Sequence, residues 1–267
     1  MMSMKNKLII NIKEIDEIEY YKEKGIYNYL VPLKDFCVGY DTIDVNNINK
    51  IDVNYYLLVN RIMTFKDLEK LRSILNNINL KYLKGVFFED LGVLEIIKHL
   101  DLEKIYFPNH FATNYLSING FLDKGIDSVV VSNEITKEEV EIILDNVSEN
   151  VVIPVLGYNQ IMYSRRNLIT NYNKEYNLNT SLNNKITEQI TKKQLPILEQ
   201  EYGTVIFDEN IYNNLELLKN TKNVKFYLIN STFLTKEDII SYLNSNSLNN
   251  NGFLTRKTIY KIGDINE

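Results

Sequence analysis

The sequence is poor in the residues that build metal centres and disulfides: its 267 residues include one cysteine and two histidines. The single cysteine, Cys37, cannot form an internal disulfide. One thiol and two separated imidazoles also cannot supply the four clustered ligands of a zinc or iron–sulfur site. Because no G-x-S-x-G motif is present, the nucleophile turn of the α/β-hydrolases is excluded as well. The sequence therefore predicts neither a metal centre nor a cofactor.

Long hydrophobic runs and an excess of positive charge are also missing. No apolar run approaches the roughly 20 residues that cross a bilayer, and LIINI at 8–12 is too short for the core of a signal peptide. The formal net charge of −5 argues against tight, nonspecific binding of nucleic acid, although it does not exclude a local basic patch. We therefore expect a cytoplasmic protein that has neither a membrane nor DNA as its partner.

What the sequence does contain is a regular alternation of short apolar runs and amphipathic stretches. Several runs are continuously apolar, as expected for parallel strands that are buried on both faces. Strands are predicted at 7–12, 28–32 or 36–40, 55–61, 84–89, 104–108, 128–132, 151–157, 204–208 and 224–229. These runs recur every 20–30 residues, which is the spacing of strand–helix units.

Helices are predicted between the strands. Residues 65–78 place four aliphatic side chains on one helical face, namely Leu68, Leu71, Ile74 and Leu75. Thr136 and Thr235 each precede acidic residues in a predicted first turn, and this pattern is typical of helix N-caps.

Repeated strand–helix units predict a parallel sheet with right-handed crossovers. Eight or nine units fit a closed, TIM-like (β/α)8 barrel better than an open, doubly wound sheet, which is the alternative. No Gly-rich phosphate loop follows the first strand, and this weakens the dinucleotide-binding form of that alternative. Residues 1–245 are therefore predicted to form one barrel domain.

Two segments do not follow this alternation of strands and helices. Residues 171–200 are polar and lie between predicted strands, so they predict a long excursion on the rim after the seventh strand. Loops of this length are usually lids, binding loops or links. Near the end of the chain, GFLTRKTIYKIG has a strand-like pattern, and we expect residues 246–267 to form a C-terminal tail that packs back on the barrel.

In an α/β barrel the chemistry belongs to the loops after the carboxyl ends of the strands. Glu89 and Glu134 each directly follow an apolar strand, where two carboxylates can act as an acid–base pair; the alternative is that each caps the following helix. His110 follows a strand in FPNH and is the histidine placed to titrate or bind a ligand, whereas His99 lies in a helical stretch. Cys37, in KDFCVGY, is interpreted as a buried thiol rather than a thiolate partner of His110.

The segment 157–170 is predicted to be the centre of the functional surface of the barrel. It contains the adjacent Arg165 and Arg166, whose guanidinium groups suit a phosphate or carboxylate ligand. Three tyrosines near them, Tyr158, Tyr163 and Tyr172, are placed to stack on a ring. The alternative is that the arginines pair with nearby acids in a solvated loop.

The stretch VVIPVLGYNQIMYSRRNLITNY at 151–172 resembles the signature region of peptidase family U32, the collagenase-like peptidases. In that family a strand ends in a glycine, and a Y-S-x-R-C type segment follows. Gly157, Tyr163, Ser164 and Arg166 match this pattern at the same spacing, and T-N-Y at 170–172 resembles the S-N-Y that comes next. NHFATNYLSINGFLDKGIDSVVVSNEIT, LPILEQEYGTVIFDENIYNNLELL and the closing GFLTRKTIYKIG are also similar to family blocks.

The resemblance implies a TIM-like barrel, in agreement with the count of strand–helix units. It also implies functions beyond the peptidase name, since several relatives support hydroxylation of tRNA or rRNA bases, or of a quinone ring, with a four-cysteine iron–sulfur cluster. Here Asn167 occupies the position of the motif cysteine and no cysteine follows Cys37, so the cluster is not carried over to this chain. The family's late K-I-E-G-R-like strand is altered as well, reading VKFYLINS at 224–231.

Three functional hypotheses follow. The first is a family member, nominally a peptidase, whose rim binds an anionic or aromatic small molecule or an RNA element such as tRNA. In this hypothesis the binding residues are Tyr163, Ser164, Arg165, Arg166 and Glu89, and the catalytic or orienting residues are Glu134 and His110. The second is a non-catalytic partner subunit of a cysteine-containing paralogue. The third is a genuine collagenase-like protease, for which the sequence indicates no nucleophile, base or metal constellation.

Overall fold

A computed structural model describes residues 5–244 and 251–256 of the chain. In this part of the chain the strands are β1 (Leu8–Asn11), β2 (Asn28–Pro32), β3 (Tyr55–Val59), β4 (Leu83–Phe88), β5 (Glu103–Tyr106), β6 (Ser128–Val130), β7 (Val151–Ser164), β8 (Asn183–Thr187), β9 (Gln194–Gln200), β10 (Gly203–Asn213) and β11 (Val224–Ile229). The helices are α1 (Glu17–Glu23), α2 (Val45–Ile48), α3 (Phe65–Asn77), α4 (Leu91–Ile97), α5 (Tyr115–Leu122), α6 (Lys137–Asn146), α7 (Leu168–Tyr176), α8 (Leu215–Leu218) and α9 (Lys236–Asn244).

Eight of these strands, β1 to β7 and β11, form a closed parallel ring, and β11 pairs with both β7 and β1. This arrangement confirms the predicted TIM-like (β/α)8 barrel. The interior of the ring is filled by alternate residues of the strands, among them Ile9, Leu30, Leu58 and Phe87, all of which are fully buried. A second and larger group of buried side chains packs between the ring and the surrounding helices.

Several local predictions are confirmed by the helices. Helix α3 buries Leu71 and Leu75, and Leu68 and Ile74 pack against the same core. Thr136 caps α6 in a reciprocal capping box with Glu139. Before α9, the Thr235 hydroxyl accepts from the N–H of Asp238 at 3.1 Å. Both threonines therefore act at helix starts as the sequence predicts, because a cap depends only on residues within one turn.

The region after the seventh strand differs from the prediction. Strand β7 does not end at residue 157 but runs on to Ser164, and its second half pairs with β10 in an antiparallel manner. The predicted strand at 204–208 exists as part of β10, but it lies outside the ring. Residues 171–200 contribute most of α7 and all of β8 and β9. We call residues 161–206 the outer lobe.

The predicted alternative strand at 36–40 is wrong, since these residues form a turn above the ring.

The predicted C-terminal tail lies in the described part of the chain only at 251–256, and residues 246–250 and 257–267 are outside it. Leu254 is buried, and its carbonyl accepts from the N–H of Lys137 at 3.0 Å. Residues 252–256 form turns rather than the beginning of a strand.

Strand β7 leaves the ring at Gly157, where the backbone has a φ of +145°. A Cβ atom at this position would lie 2.7 Å from the Asn230 Cβ and 2.8 Å from the Asn230 carbonyl oxygen. These distances are shorter than van der Waals contact, and the φ is one that residues with a side chain rarely adopt. The glycine is therefore required by the close approach of β7 to the end of β11.

We expect Gly157→Ala to lower the free energy of unfolding by about 2–4 kcal/mol, because overpacking and backbone strain add at this position. Urea unfolding followed by circular dichroism measures the change. The matched control is Gly120→Ala in α5, where a Cβ meets no atom within 4 Å. Alanine favours a helix over glycine by about 0.5–1 kcal/mol, so the control is expected to be slightly stabilised. Equal effects of the two substitutions would contradict the role of Gly157.

Candidate functional site

A cavity opens at the mouth of the barrel, between the loops that follow β5 and β6 and the paired strands β7 and β10. Its volume is about 40 Å³ and it opens to solvent, so it is smaller than the roughly 300–1,000 Å³ of typical small-molecule sites, and a larger ligand would lie partly in the open mouth. Its walls combine amide, aromatic and titratable side chains. The lining residues are Tyr40, Phe107, Asn109, His110, Val131, Asn133, Glu134, Pro154, Tyr158, Asn159, Gln160, Phe207, Tyr212, Leu228 and Asn230.

His110 and Glu134 meet in this cavity. The Nδ1 of His110 lies 3.2 Å from the Oε2 of Glu134, and both side chains are a little under half exposed. They come from the loops after the neighbouring strands β5 and β6, so ring order brings them together. The alternative interpretation of Glu134 as a helix cap is wrong, because Thr136 caps α6 and the Glu134 carboxylate is free to face the cavity.

Glu89 follows the end of β4 and is connected to the cavity wall by one hydrogen bond. Its Oε2 accepts from the Nδ2 of Asn109 at 3.1 Å, and Asn109 itself lines the cavity. Burial raises the pKa of Glu89 to about 7, and the Asn109 bond opposes this only in part, while the nearby charge of Asp90 adds to it. Asp90, not Glu89, caps α4 by accepting from the N–H of Gly92 at 2.8 Å, so the capping interpretation of Glu89 is also wrong.

The deeper wall contains an amide pair that follows β6 and lies within β7, together with two buried tyrosines. The Nδ2 of Asn133 donates to the Oδ1 of Asn159 at 3.0 Å and lies 3.4 Å from the Tyr212 hydroxyl. Burial raises the pKa values of the Tyr40 and Tyr212 phenols well above their ordinary value, so both stay neutral. Neither tyrosine carries a local signal, because nineteen tyrosines occur in the chain and long-range pairing selects these two.

Cys37 lies inside the barrel and not in the cavity. Its Sγ donates to the carbonyl oxygen of Leu58 at 2.8 Å. Burial raises the pKa of this thiol to about 12, so it stays protonated. The structure therefore agrees with a buried thiol, and the imidazole of His110 has Glu134 as its partner instead.

The outer lobe reaches across the mouth from β7 to the opposite side of the ring. The side chain of Gln200 accepts from the N–H of Gly39 and donates to the carbonyl of Tyr40, both at 2.8 Å. Arg61, at the end of β3, is 5% exposed, and its guanidinium carbon lies 3.8 Å from the centre of the Tyr202 ring. Arg61 also pairs with Asp67 at 2.7 Å. These contacts hold the lobe over the barrel.

Tyr163 packs against a small apolar cluster that includes Phe207, and Phe207 lines the cavity. Burial raises the pKa of its phenol, the charges of Arg165 and Arg61 oppose this, and the charge of Glu89 adds to it. The same phenol is thus within electrostatic reach of two predicted binding residues, Arg165 and Glu89. Its hydroxyl lies 3.4 Å from the carbonyl of Tyr202, to which it donates.

The other predicted binding residues of this segment, Ser164, Arg165 and Arg166, lie at the edge of the lobe and do not line the cavity. Arg165 and Arg166 are exposed. The Ser164 hydroxyl accepts from the N–H of Arg166 at 3.2 Å, and the Arg166 carbonyl accepts from Thr204 at 2.8 Å. The structure thus brings His110, Glu134 and Glu89 to the mouth and leaves Ser164 and the two arginines beside it.

Asn167, which stands where the family motif has cysteine, precedes α7 without capping it. Its Nδ2 donates to the carbonyl of Gln200 at 3.3 Å. The cap is supplied by the buried Glu199 of β9, which accepts from the N–H of Ile169 at 2.5 Å and from the N–H of Thr170 at 3.2 Å. Since the chain has one cysteine, these residues do not fit a four-cysteine cluster, and they serve to attach α7 to the lobe.

Residues 5–244 and 251–256 offer neither a group of metal ligands nor a membrane-spanning helix. Within these ranges, no three His, Cys, Asp or Glu side chains are grouped closely enough to hold a metal ion. No helix within them combines the length and the apolar character that crossing a bilayer requires.

The raised pKa of Glu89 makes stability depend on pH. The folded protein holds this proton more tightly than the unfolded chain, in which the pKa is near 4.5. The free energy of unfolding therefore decreases as the pH rises from about 4.5 through about 7. Well above this window we expect Glu89→Gln to be more stable than the wild type, by on the order of 1–3 kcal/mol.

Urea unfolding at a series of pH values measures this difference. The control is Glu23→Gln, because Glu23 is exposed at the end of α1 and should leave the profile unchanged. A Glu89→Gln profile with the same slope as the wild type would show that Glu89 ionises freely in the folded protein.

Comparison with known proteins agrees with the fold and with the sequence resemblance. The model of peptidase family U32 matches residues 43–225, which is more than half of the chain. The solved structure of the U32 peptidase Mk0906 is similar, with a TM-score of 0.51 and 13% sequence identity over 84% of this chain and 92% of that chain. No curated protein matches the sequence significantly. At this identity the structural likeness supports the fold alone, whereas the family match shows that the chain belongs to peptidase family U32.

Proposed function

We propose that this protein binds a planar, hydrogen-bonding ring in the mouth cavity, either in a small molecule with an anionic group or as a base of RNA. The observation that carries the proposal is the composition of the cavity wall. Five amide side chains converge there with five aromatic rings and with the His110–Glu134 pair. Such a wall is suited to a ring that has polar edges.

The amide groups supply recognition of the ring edge. Asparagine and glutamine each offer a donor and an acceptor side by side, which matches the alternating groups of a heterocycle. In the cavity these amides are Asn109, Asn133, Asn159, Gln160 and Asn230. Asn133 and Asn159 already bond to each other, so their remaining donors and acceptors are held in defined directions.

The aromatic rings supply the flat faces. Tyr158 and Phe207 both line the cavity, and the ring of Phe233 packs edge-on against each of them at 5.7 and 5.1 Å between centres. Stacking on such rings favours a planar ligand and is worth about 1–3 kcal/mol per base. The buried phenols of Tyr40 and Tyr212 add neutral hydroxyl groups at the depth of the cavity.

The titratable groups bind and orient the ligand. The Nδ1 of His110 faces Glu134, which leaves the Nε2 for a ligand. Glu89, whose pKa is about 7, is able to hold or release a proton near neutrality and is positioned by Asn109. Arg165 and Arg166 at the edge of the lobe then suit a phosphate or carboxylate that projects from the cavity.

The cavity is less suited to the nucleophilic cleavage of peptides. Among the residues that line it in the described part of the chain, none is a serine, threonine or cysteine. Ser132 lies just behind the wall, but it is buried and its hydroxyl accepts from the N–H of Glu134 at 3.1 Å. The family name therefore does not by itself assign proteolysis to this chain.

We expect His110→Ala and Glu134→Ala each to weaken ring binding about tenfold, which corresponds to the loss of one or two hydrogen bonds. Isothermal titration calorimetry with nucleosides, nucleotides and short single-stranded RNA measures the affinity. His99→Ala is the matched control, since this histidine is exposed after α4, away from the mouth. Absence of binding to every such ring, together with cleavage of casein that depends on Glu134, would replace the proposal with peptide hydrolysis.

The role proposed for Arg165 and Arg166 in binding a phosphate can be tested separately. Arg165→Ala with Arg166→Ala should weaken the binding of a nucleotide, because its phosphate loses a guanidinium partner, and should leave the matching nucleoside unchanged. We expect about a tenfold difference between the two ligands by titration calorimetry. Lys124→Ala, an exposed lysine after α5 at the opposite end of the barrel, controls for net charge. An equal loss for nucleoside and nucleotide would contradict an anion site at these arginines.

A further inference from the structure

The exposed hydrophobic side chains are not spread evenly over the protein. Seventeen large hydrophobic residues are exposed in the described part of the chain, and eight of them lie in the outer lobe. They include Tyr172 and Tyr176, whose rings pack together at 4.7 Å between centres, and Ile190, which is 89% exposed. A monomeric surface usually spreads such residues singly, and a concentration of this kind is typical of interaction surfaces.

Five more of the seventeen lie together on the barrel rim. These are Ile62, Phe65, Leu91, Phe111 and Leu116, with Phe65 at 79% and Phe111 at 74% exposure. They occur at or near the starts of α3, α4 and α5, which follow the adjacent strands β3, β4 and β5. Residues 61–70, 89–96 and 108–117 thus form one surface, which we call the rim patch.

An apolar groove lies within the lobe, between α7 and the outer face of β8, β9 and β10. Its volume is about 310 Å³, and its lining includes Leu168, Ile186, Ile197 and Ile206. Strand β8 pairs with β9 alone among the described strands, so it also leaves a sheet edge beside the groove. An edge of this kind next to an apolar groove is a place where another chain can dock.

The two surfaces carry opposite charge. By sequence the lobe contains six basic and four acidic residues, and the rim patch contains three basic and five acidic residues. One acidic residue of the lobe, Glu199, and one basic residue of the rim patch, Arg61, are buried, so the exposed groups keep this difference in sign. The lobe is therefore positive by two on a chain whose net charge is −5. Two lobes facing each other would bring like charges together, whereas a lobe that faces a rim patch brings opposite charges together around apolar centres.

We propose that a second copy of this chain docks here, with the outer lobe of each copy on the rim patch of the other. Two such contacts are related by a two-fold axis, so the assembly closes as a dimer. A stable interface takes roughly 20–30 residues from each side, and the lobe with the rim patch contains more residues than this. Phe111 follows His110 directly, so the docked lobe borders the opening of the mouth cavity. The inference does not rest on the ligand proposed above.

Sedimentation velocity of the full chain over a dilution series tests this directly. We expect a dimer that dissociates on dilution and weakens in high salt. Tyr172→Ser with Ile190→Ser should raise the dissociation constant at least about tenfold, as expected for large apolar side chains at an interface. Ile142→Ser on α6 is the matched control, because Ile142 is 52% exposed but lies outside both surfaces. A chain that is monomeric throughout the series would overturn the proposal.

Charge reversal provides a second test that leaves the apolar packing intact. Lys174→Glu and Lys185→Glu in the lobe should weaken the dimer about tenfold, while Lys124→Glu at the opposite end of the barrel should not. Phe65→Ser with Phe111→Ser should weaken it as well, because the rim patch is the other half of the contact. Unchanged dimerisation of this rim variant would show that lobe packs on lobe, and would overturn the reciprocal arrangement.

Discussion

The structure depends on one strand that has two successive sets of partners. The first half of β7 lies between β6 and β11 and closes the parallel ring, and the second half pairs with β10 outside it. The change occurs at Gly157, where the backbone passes so close to Asn230 that no side chain fits. Without this passage the ring either would remain open or would lack the support of the outer lobe.

Polar contacts then determine where the lobe lies. Glu199 satisfies the first N–H groups of α7, and Gln200 and Tyr202 bind the turn above β2 and the arginine after β3. The lobe thus covers part of the mouth and leaves a cavity beside β5, β6 and β7. Partial exclusion of water explains why burial is the largest cause of the raised pKa values of Glu89 and Tyr163.

The mouth cavity and the edge of the lobe have different chemistry. In the cavity, neutral amides and phenols surround the His110–Glu134 pair. This composition favours a ligand that is recognised through hydrogen bonds. At the edge of the lobe, exposed cations and apolar side chains favour contact with an acidic and apolar surface. The proposed ligand site and the proposed interaction surface thus lie side by side on one rim, where loops that carry function meet in this fold.

The sequence by itself determined the local elements and the family. Strand positions, the helix 65–77, the caps at Thr136 and Thr235 and the signature around Gly157 all depend on neighbours within a few residues, so they could be predicted. Tertiary structure decided that the 204–208 strand lies outside the ring, that Tyr40 and Tyr212 join the cavity wall, and that Glu134 faces His110. These outcomes depend on which distant strands pair, and a short apolar run has the same local pattern whether it pairs inside the ring or beyond it.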